Sequence, residues 1–296
     1  MLKAIGRVVL CKTVENSTSD SIQTGPVLQA VDVSLCYPGS REYVFNNVNL
    51  EIREQEVVAL LGESGCGKTS LLNIVGGLFS PTSGSVAFYG KKIHSTPAKI
   101  AIVFQDACLL PWLTVAANVA FALRLKSLRV PADERKQRVQ VALREVGLED
   151  AADKYPAQLS GGMAQRTALA RTLARQAELI LLDEPFSSLD AITRKSMQEL
   201  LLGIIHTHKS SALIVTHDID EALIIADRLL LMTKEAGGAN IADWDLGKIL
   251  GNTREGEFGE AKRHRRSTAF MDLREEISSR LAQGARGAAL TNSCGL

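Results

Sequence analysis

Short, continuous apolar runs recur along the middle of the chain, and helical patterns separate several of them. The runs are residues 57–61, 100–104, 179–182, 212–215 and 229–232. A run without alternation is typical of a strand that is buried on both faces of a parallel sheet. The intervening amphipathic patterns include residues 70–75, 191–205 and 220–226. Strands that alternate with helices in this way predict an α/β fold.

Two further parts of the chain follow other patterns. Residues 27–33 and 48–52 alternate apolar and polar side chains, which predicts half-exposed antiparallel strands. Residues 106–160 lack a buried run and contain two amphipathic stretches of helical spacing, residues 115–125 and 132–146. We therefore expect an antiparallel β subdomain at the start of the folded domain. We also expect a helical subdomain, inserted into the sheet at about residues 106–160.

The two ends of the chain differ from the middle. Residues 11–26 are rich in Ser, Thr, Asn and Asp, and no small-residue cleavage site follows the first aliphatic residues. We expect residues 1–26 to be a flexible leader without a signal peptide, and residues 27–236 to be the folded domain. Residues 237–296 are expected to form an extension with one amphipathic helix and a disordered tail. The apolar stripe of that helix is Phe270, Leu273, Ile277 and Leu281.

The composition restricts the class of partner. Lys and Arg number 34 and Asp and Glu 33, so the formal charge of +1 provides no overall field for nucleic acid. No apolar run reaches the roughly 18 to 20 residues that a membrane-spanning helix needs. The five cysteines are scattered and lack metal-ligand spacing, which favours a reducing compartment over a disulfide framework. We therefore expect a globular protein on the cytoplasmic side.

A glycine-rich motif follows the first apolar run and precedes a helical pattern. It consists of Gly62, Glu63, Ser64, Gly65, Cys66, Gly67, Lys68 and Thr69, with Ser70 next to it in the helix. The spacing is that of a P-loop, whose backbone N–H groups turn inward around phosphate oxygens at a helix N-terminus. Lys68 is predicted to reach the β- and γ-phosphates of a nucleotide, and Thr69 to bind Mg²⁺. The side chain of Cys66 is assigned no role.

Two carboxylates, Asp183 and Glu184, follow the apolar run at residues 179–182. Because the interior of a sheet cannot solvate charge, acids at its end imply a bound cation or a proton transfer. Asp183 fits a magnesium ligand, and Glu184 fits the residue that orients water for attack on the γ-phosphate. Taken alone, the two acids and the following Pro185 could form an ordinary turn. The P-loop elsewhere in the chain favours the catalytic interpretation.

A second glycine motif, at residues 159–166, lies shortly before these acids and opens a helix. Its Ser160, Gly161 and Gly162 can expose backbone donors at a helix N-terminus, which suits an anion. Residues 159–166 resemble the signature sequence of the ABC ATPase family, and the resemblance covers about residues 27–235. It implies a P-loop NTPase fold, the ABC nucleotide-binding domain. It also implies that the three signature residues contact the γ-phosphate of ATP held by the opposite subunit.

The same resemblance implies roles for four other residues. Gln105 matches the Q-loop glutamine, which touches Mg²⁺ and senses the permease. Asp190 lies in the D-loop, which crosses the dimer interface, and His217 matches the switch histidine, which contacts the γ-phosphate. Tyr37 falls where the family usually has an aromatic ring that stacks on adenine. The nearby Tyr43 and ordinary core packing of Tyr37 are competing interpretations.

Residues 104–115 and 118–121 resemble the nitrate, sulfonate and taurine importer branch of this family, as do residues 262–266 with the helix that follows. The resemblance implies an ATP-hydrolysing subunit that uses ATP and Mg²⁺ and pairs with a second ABC subunit, most simply as a homodimer. It further implies integral membrane permease subunits as partners at the cytoplasmic face of the plasma membrane, with a solute-binding protein as an indirect partner. No nucleic-acid partner is expected.

Other functions stay open at this point. The main alternative is a non-transport ABC ATPase that acts as a soluble interaction module. A P-loop kinase or GTPase is disfavoured, because the chain has no Asn-Lys-x-Asp guanine motif and residues 159–162 would be unexplained. The solute is open among nitrate, sulfonate, taurine, bicarbonate and pyrimidine precursors, because the permease and the binding protein contact it in such systems.

Overall fold

The predicted buried runs form adjacent strands of one mixed sheet in a computed structural model of the chain. The structure describes residues 25–40, 42–124, 128, 130–235, 238–250 and 267–293. The strands are β1 (Leu28–Cys36), β2 (Tyr43–Ile52), β3 (Val57–Gly62), β4 (Ser83–Phe88), β5 (Lys91–Lys92), β6 (Ile100–Val103), β7 (Leu179–Asp183), β8 (Ser211–Thr216), β9 (Arg228–Glu235) and β10 (Gly238–Asp245). They lie in the order β5-β4-β1-β2-β10-β9-β3-β8-β7-β6.

Helices connect and flank these strands. They are α1 (Lys68–Val75), α2 (Val115–Ala122), α3 (Ala132–Glu145), α4 (Gly161–Ala174), α5 (Ala191–His208), α6 (Ile219–Ile225), α7 (Leu246–Leu250) and α8 (Thr268–Ser293). Two 3₁₀ turns occupy Glu149–Ala151 and Pro156–Gln158. After short loops, α1, α5 and α6 follow the strands β3, β7 and β8 of the parallel part, which is the alternation that the apolar runs predict.

The parallel half of the sheet brings several strand ends to one edge. β3 pairs in parallel with β8 and β9, and β7 pairs in parallel with β8 and β6. The register aligns Leu61 with Thr216, and Asp183 with Val215. Because parallel strands end at the same edge of a sheet, the segments that follow β3, β7 and β8 begin side by side. These segments carry the predicted P-loop, the two carboxylates and His217.

β1, β2, β4 and β5 form an antiparallel part of the sheet, and β10 joins β2 to β9. β1 pairs with β2 and β4, and β4 pairs with β5. The predicted antiparallel strands at residues 27–33 and 48–52 are therefore confirmed as parts of β1 and β2. Phe45 of β2 is fully buried in the same apolar cluster as Leu71 and Leu72 of α1. This packing holds the helix that begins directly after the glycine loop.

The apolar pattern does not predict β4, β5 or β10. Val86 is the buried residue of β4, so that strand has no apolar run. Gly84 has φ +82°, and a Cβ on it would lie 2.3 Å from the Asp32 carbonyl oxygen, so this position of β4 requires glycine. β10 pairs with β9 along its whole length, although Asn and Asp interrupt its apolar residues. Backbone pairing with a buried neighbour places these strands.

The C-terminal part differs from the predicted extension in two respects. β10 continues the sheet beyond residue 236, and α8 runs to Ser293, through the segment for which a disordered tail is predicted. The predicted apolar stripe of α8 is confirmed, because Phe270, Leu273 and Ile277 are buried in the main core and Leu281 packs against it. The basic residues 262–266 and the predicted leader up to residue 24 lie outside the described residues.

α2 and α3 lie within residues 106–160 and pack against α4. The Asn118 side chain of α2 is 1% exposed and organises the preceding loop. It accepts a hydrogen bond from the Leu110 N–H at 2.8 Å and donates to the Leu110 and Leu113 carbonyl oxygens at 3.1 and 3.0 Å. Trp112 in this loop is 70% exposed. No helix in the described part of the chain has the length and apolar character needed to cross a bilayer.

Phe270 attaches α8 to the core, and its removal tests that attachment. Phe270 is 1% exposed, whereas the adjacent Met271 is 51% exposed. We expect Phe270→Ala to lower the free energy of unfolding by about 3 kcal/mol or more, because it leaves a cavity. The matched Met271→Ala variant should change that free energy by no more than about 0.5 kcal/mol. Urea titrations followed by circular dichroism measure both values, and equal losses would contradict the docking of α8.

Candidate functional site

The loop between β3 and α1 needs its glycines for steric reasons. Gly65 and Gly67 have φ angles of +80° and +108°, which glycine adopts without strain. A Cβ on Gly67 would lie 2.7 Å from Val44 Cγ1, and one on Gly62 would lie 2.4 Å from the Met232 carbonyl oxygen. The loop therefore turns tightly between β2 and β9. At the glycine positions no Cβ shields the backbone N–H groups, so a phosphate group can approach them closely.

Lys68 is the first residue of α1 and is 5% exposed. Its Nζ donates to the carbonyl oxygens of Gly62 and Glu63 at 2.8 and 2.6 Å, which holds the ammonium group within the curve of the loop. The first turn of α1 has no acidic residue, so the positive end of the helix dipole adds to the Lys68 charge. An anion is therefore favoured here. The Cys66 side chain packs in the core instead, and burial raises the pKa of its thiol.

Thr69 and Asp183 bring a hydroxyl group and a carboxylate together beside the loop. Thr69 Oγ1 donates to Asp183 Oδ1 at 3.2 Å, and Asp183 is 8% exposed. Burial raises the pKa of Asp183, although the hydrogen bond from Thr69 opposes this effect. A cation at this position would offset the cost of burying a carboxylate. Adjacent ligands of an octahedral Mg²⁺ lie about 3 Å apart, so the pair fits a shared magnesium ion.

Magnesium at this pair would need further ligands from outside the protein. The described ranges contain no group of three or more His, Cys, Asp or Glu side chains suited to hold a metal ion. Mg²⁺ ordinarily retains water molecules and binds one or two protein groups together with phosphate oxygens. The hydroxyl and carboxylate of Thr69 and Asp183 are therefore sufficient for a metal that arrives with a nucleotide.

Glu184 and His217 form a second polar pair at the same edge of the sheet. Glu184 Oε2 lies 3.1 Å from His217 Nδ1, and the two side chains are 22% and 55% exposed, so water reaches both. The Glu184 backbone has φ +45°, which is uncommon for a residue other than glycine. Its N–H donates to the Val215 carbonyl oxygen of β8 at 2.9 Å. Strain of this kind is typical of functional positions that the surrounding structure holds in place.

A buried carboxylate supports the loop that carries His217. Glu221 of α6 is 7% exposed and accepts hydrogen bonds from Thr216 Oγ1 and, at 3.1 Å, from Gln198 Nε2. Thr216 Oγ1 accepts the N–H of Asp218 at 3.1 Å. Burial raises the pKa of Glu221. The sequence interpretation misses this residue, whose only signal is an acid, next to Asp220, at the start of an otherwise apolar helix.

Gln105 follows β6 and has an exposed side chain. Its carbonyl oxygen accepts a hydrogen bond from Gln165 Nε2 at 3.0 Å, and the same amide donates to the Pro185 carbonyl oxygen at 3.2 Å. Gln165 on α4 is 4% exposed. One side chain therefore connects the Gln105 segment with the residue that follows Glu184. The sequence interpretation misses Gln165 as well, because its partners are 20 and 60 residues away.

Tyr37 lies beside the first turn of α1. Its hydroxyl group and Ser70 Oγ are 2.8 Å apart. Tyr37 is 46% and Tyr43 43% exposed, so neither ring is a core residue. Core packing of Tyr37 is therefore excluded. The hydrogen bond to Ser70 favours Tyr37 over Tyr43 as the ring that lies next to a ligand of the glycine loop.

Ser160 caps α4, and the second glycine motif is exposed at Ser160 and Gly161 but buried at Gly162. Ser160 Oγ accepts the Met163 N–H at 3.3 Å, and Ser160 and Gly161 are exposed. A Cβ on Gly161 would meet no atom within 4 Å, whereas one on Gly162 would lie 2.8 Å from Thr193 Cγ2 of α5. Within the described residues, no hydrogen bond joins this motif to the glycine loop of the same chain. The motif is thus a second, separate helix N-terminus.

Asp190 caps α5. Its Oδ1 accepts the N–H groups of Ile192 and Thr193, both at 3.1 Å, and hydrogen bonding from Thr193 lowers the pKa of Asp190. Helix capping accounts for an acid at this position. The neighbouring Ile192 is 85% exposed, which provides an apolar side chain for a subunit contact. A position of Asp190 at a dimer interface stays a prediction.

Comparison with known proteins gives the family. A family model described as ABC transporter matches residues 45–187. The chain is 47% identical over 210 residues to the taurine import ATP-binding protein TauB of Chromobacterium violaceum, a match that covers 71% of this chain and 80% of that protein. It is 44% identical over 224 residues to the bicarbonate transport ATP-binding protein CmpD of Synechocystis sp., which covers 75% of this chain and 79% of that protein.

A solved structure agrees with these matches. The ATP-binding cassette MJ0796, a dimer in a post-hydrolysis state bound to ADP and Pi, superposes with a TM-score of 0.65 at 33% identity. The match covers 74% of this chain and 98% of that one. The predicted P-loop NTPase fold is thereby confirmed. Identity of this extent, together with a phosphate-binding loop and paired acids at one sheet edge, shows that the chain belongs to the ABC transporter ATP-binding family, whose cassettes hydrolyse ATP.

Proposed function

We propose that the chain is the subunit that energises an ABC importer of a small solute such as taurine, another sulfonate, nitrate or bicarbonate. The observation that carries the proposal is that the Thr69–Asp183 and Glu184–His217 pairs lie at the same edge of the sheet as the glycine loop. The similarity to an importer subunit for taurine and a transport subunit for bicarbonate supports the solute class. The site would lie at the cytoplasmic face of the membrane, below permease subunits that a solute-binding protein supplies.

ATP would be held by its phosphates in the glycine loop. The backbone of residues 62–67, the Lys68 ammonium group and the Ser70 turn of α1 would contact the phosphates, and Tyr37, bonded to Ser70, would lie against the adenine ring. Thr69, Asp183 and Gln105 would hold Mg²⁺. When bound there, Mg²⁺ would offset the negative charge that develops on the phosphates in the transition state.

Hydrolysis would depend on Glu184. Its carboxylate can accept a hydrogen bond from a water molecule and orient it for in-line attack on the γ-phosphate. His217, 3.1 Å from that carboxylate, would hold its orientation and donate to a γ-phosphate oxygen. The hydrogen bonds that join Glu221, Thr216 and Asp218 hold the loop that carries His217.

The exposed end of the signature motif would act together with a second subunit. Ser160, Gly161 and Gly162 form a helix N-terminus that no hydrogen bond joins to the P-loop within the described residues, and such an end favours an anion. In the proposed homodimer, the motif of one protomer closes over the γ-phosphate that its partner holds. Asp190 would lie at the same interface. The similarity to a dimeric cassette bound to ADP and Pi supports this arrangement.

The proposed permease contact lies near Gln105. Phe104, Trp112 and Phe121 are 37%, 70% and 48% exposed, and exposed large apolar side chains are the kind that a protein interface covers. Trp112 lies in the loop that Asn118 holds rigid, so its position does not depend on a partner. A membrane subunit that inserts a helix here would bury these rings.

Removal of the Lys68 charge should prevent nucleotide binding. We expect Lys68→Ala to raise the dissociation constant for ATP about 30-fold or more, because truncating one partner of a buried charge contact costs about 2 kcal/mol or more. Isothermal titration calorimetry measures the affinity. The melting temperature of the nucleotide-free variant serves as the control for folding. ATP binding at the original affinity would exclude Lys68 from the site.

Replacement of the proposed water-orienting carboxylate should separate binding from hydrolysis. Glu184→Gln preserves the shape of the side chain but removes the charge, and we expect kcat to fall by about 10²-fold or more. ATP affinity should stay within about twofold, since no binding contact to phosphate is lost. Phosphate release and gel filtration with ATP measure the rate and the closed dimer. Hydrolysis at the original rate would remove Glu184 from the mechanism.

Co-purification distinguishes the importer from the non-transport alternative. An affinity-tagged chain, extracted from its native membranes in mild detergent, should bring down integral membrane proteins. The Trp112→Ser variant should lose them and retain its ATPase activity, because the loop of Trp112 is held by Asn118 of α2 and not by the glycine loop or the paired acids. Recovery of ribosomes or nucleic acid, with no membrane protein, would contradict the importer proposal.

A further inference from the structure

Side chains of α4 hold the backbone of the segment that contains Gln105. Gln165 donates to the Gln105 carbonyl oxygen. Arg171 donates through Nη1 to the Cys108 carbonyl oxygen at 3.0 Å and through Nη2 to that of Ala107. Two side chains of α4, six residues apart, therefore hold the carbonyl oxygens of Gln105, Ala107 and Cys108. No other helix makes hydrogen bonds to this stretch within the described ranges.

The Arg171 guanidinium group has carbonyl partners in place of a carboxylate. No salt bridge to Arg171 occurs in the part of the chain that the structure describes. Partial burial lowers the pKa of Arg171. Hydrogen bonds must offset the free-energy cost of removing a cation from water. The guanidinium group of Arg171 makes such bonds to two adjacent backbone carbonyl oxygens. A lysine could not match that planar group.

The backbone that Arg171 holds is strained. Cys108 has φ +47°, in the left-handed region that residues other than glycine rarely adopt. Its side chain is exposed and is not held by core packing. Such a conformation persists only when the surroundings impose it, and the bonds from Arg171 to Ala107 and Cys108 flank the strained position.

Gln165 adds a link towards the catalytic carboxylate. Its Nε2 donates to the carbonyl oxygens of Gln105 and Pro185, and both bonds fix the amide orientation. Its Oε1 is buried and has no hydrogen-bond partner. Leaving this oxygen unpaired costs free energy, which the two hydrogen bonds from Nε2 of the same amide must offset. Gln165 is therefore held by the two loops that it connects.

We propose that Arg171 and Gln165 are positioning residues that fix the Gln105 loop to the signature helix, so that α4 and Gln105 move as one unit. The inference rests on the proposed role of Gln105 at Mg²⁺. A tilt of α4 that brings Ser160 to the partner's nucleotide then also sets Gln105 at the nucleotide of its own chain. Contact with a permease near Trp112 acts on the same unit.

A label at Cys108 tests the mechanical part of the proposal. A nitroxide is attached to Cys108 in a background with Cys11, Cys36 and Cys294 changed to Ser; Cys66 stays, since it is 3% exposed. Arg171→Ala should increase the mobile component of the electron paramagnetic resonance spectrum and lower kcat about tenfold or more, as misplaced groups do. The affinity for ATP without Mg²⁺ should stay within about twofold. Arg171→Lys should give intermediate values of mobility and kcat, and it replaces Arg171→Ala in this test if the alanine variant does not fold.

Arg175→Ala is the matched control. Arg175 caps the C-terminal end of α4, four residues after Arg171, and like Arg171 it donates to two carbonyl oxygens, those of Ala98 and Ile100, at 2.9 and 3.0 Å. Those acceptors precede β6 or lie at its start, so the variant should lose stability without changing the Cys108 spectrum or kcat. An unchanged spectrum in Arg171→Ala, or equal losses of kcat in the two arginine variants, would overturn the proposal.

Gln105→Ala separates this inference from the function on which it rests. If Gln105→Ala keeps its full kcat, the proposed role of Gln105 is wrong, while the Cys108 spectrum still decides whether Arg171 holds the loop. If Gln105→Ala and Arg171→Ala lower kcat by the same factor, and the double variant has no lower kcat than either, the two residues act through one another. Additive losses would contradict the proposal.

Discussion

The common ending of β3, β7 and β8 at one edge of the sheet is the constraint on which the site depends. Their register places the glycine loop, the two acids and the His217 loop side by side, although about 150 residues of sequence separate the first from the last. Each strand is buried on both faces, so a shift of register would disrupt the whole core. The hydrophobic core therefore fixes the distances between polar groups that could not hold one another in water.

α4 contributes to both halves of the proposed cycle. Its N-terminal end is exposed at Ser160 and Gly161, and its later turns hold the segment from Gln105 to Cys108. In a dimer, one end of this helix would contact the partner's nucleotide while its flank sets Gln105 at its own. Binding energy from ATP could then favour the closed dimer, because a ligand shifts a conformational equilibrium by its differential affinity for the two states.

The parts of the structure that were predictable from the sequence are those with local signals. The run at residues 57–61 followed by the Gly62–Thr69 pattern specifies a buried strand and a phosphate loop within about 13 residues, and the acids after β7 add a second local signal. β10 has no such signal, since pairing with β9 rather than its own composition makes it a strand. The roles of Arg171, Gln165 and Glu221 could not be predicted, because they depend on carbonyl and hydroxyl partners that only the fold brings near.

The central claim is that a nucleotide is held between the glycine loop of one protomer and the Ser160 helix end of the other. A structure of the Glu184→Gln protein with ATP and Mg²⁺ tests it most directly. The account predicts Ser160 Oγ about 3 Å from a γ-phosphate oxygen of the nucleotide bound to Lys68 of the opposite protomer, a normal hydrogen-bond distance. A structure in which Ser160 lies far from every γ-phosphate would contradict it.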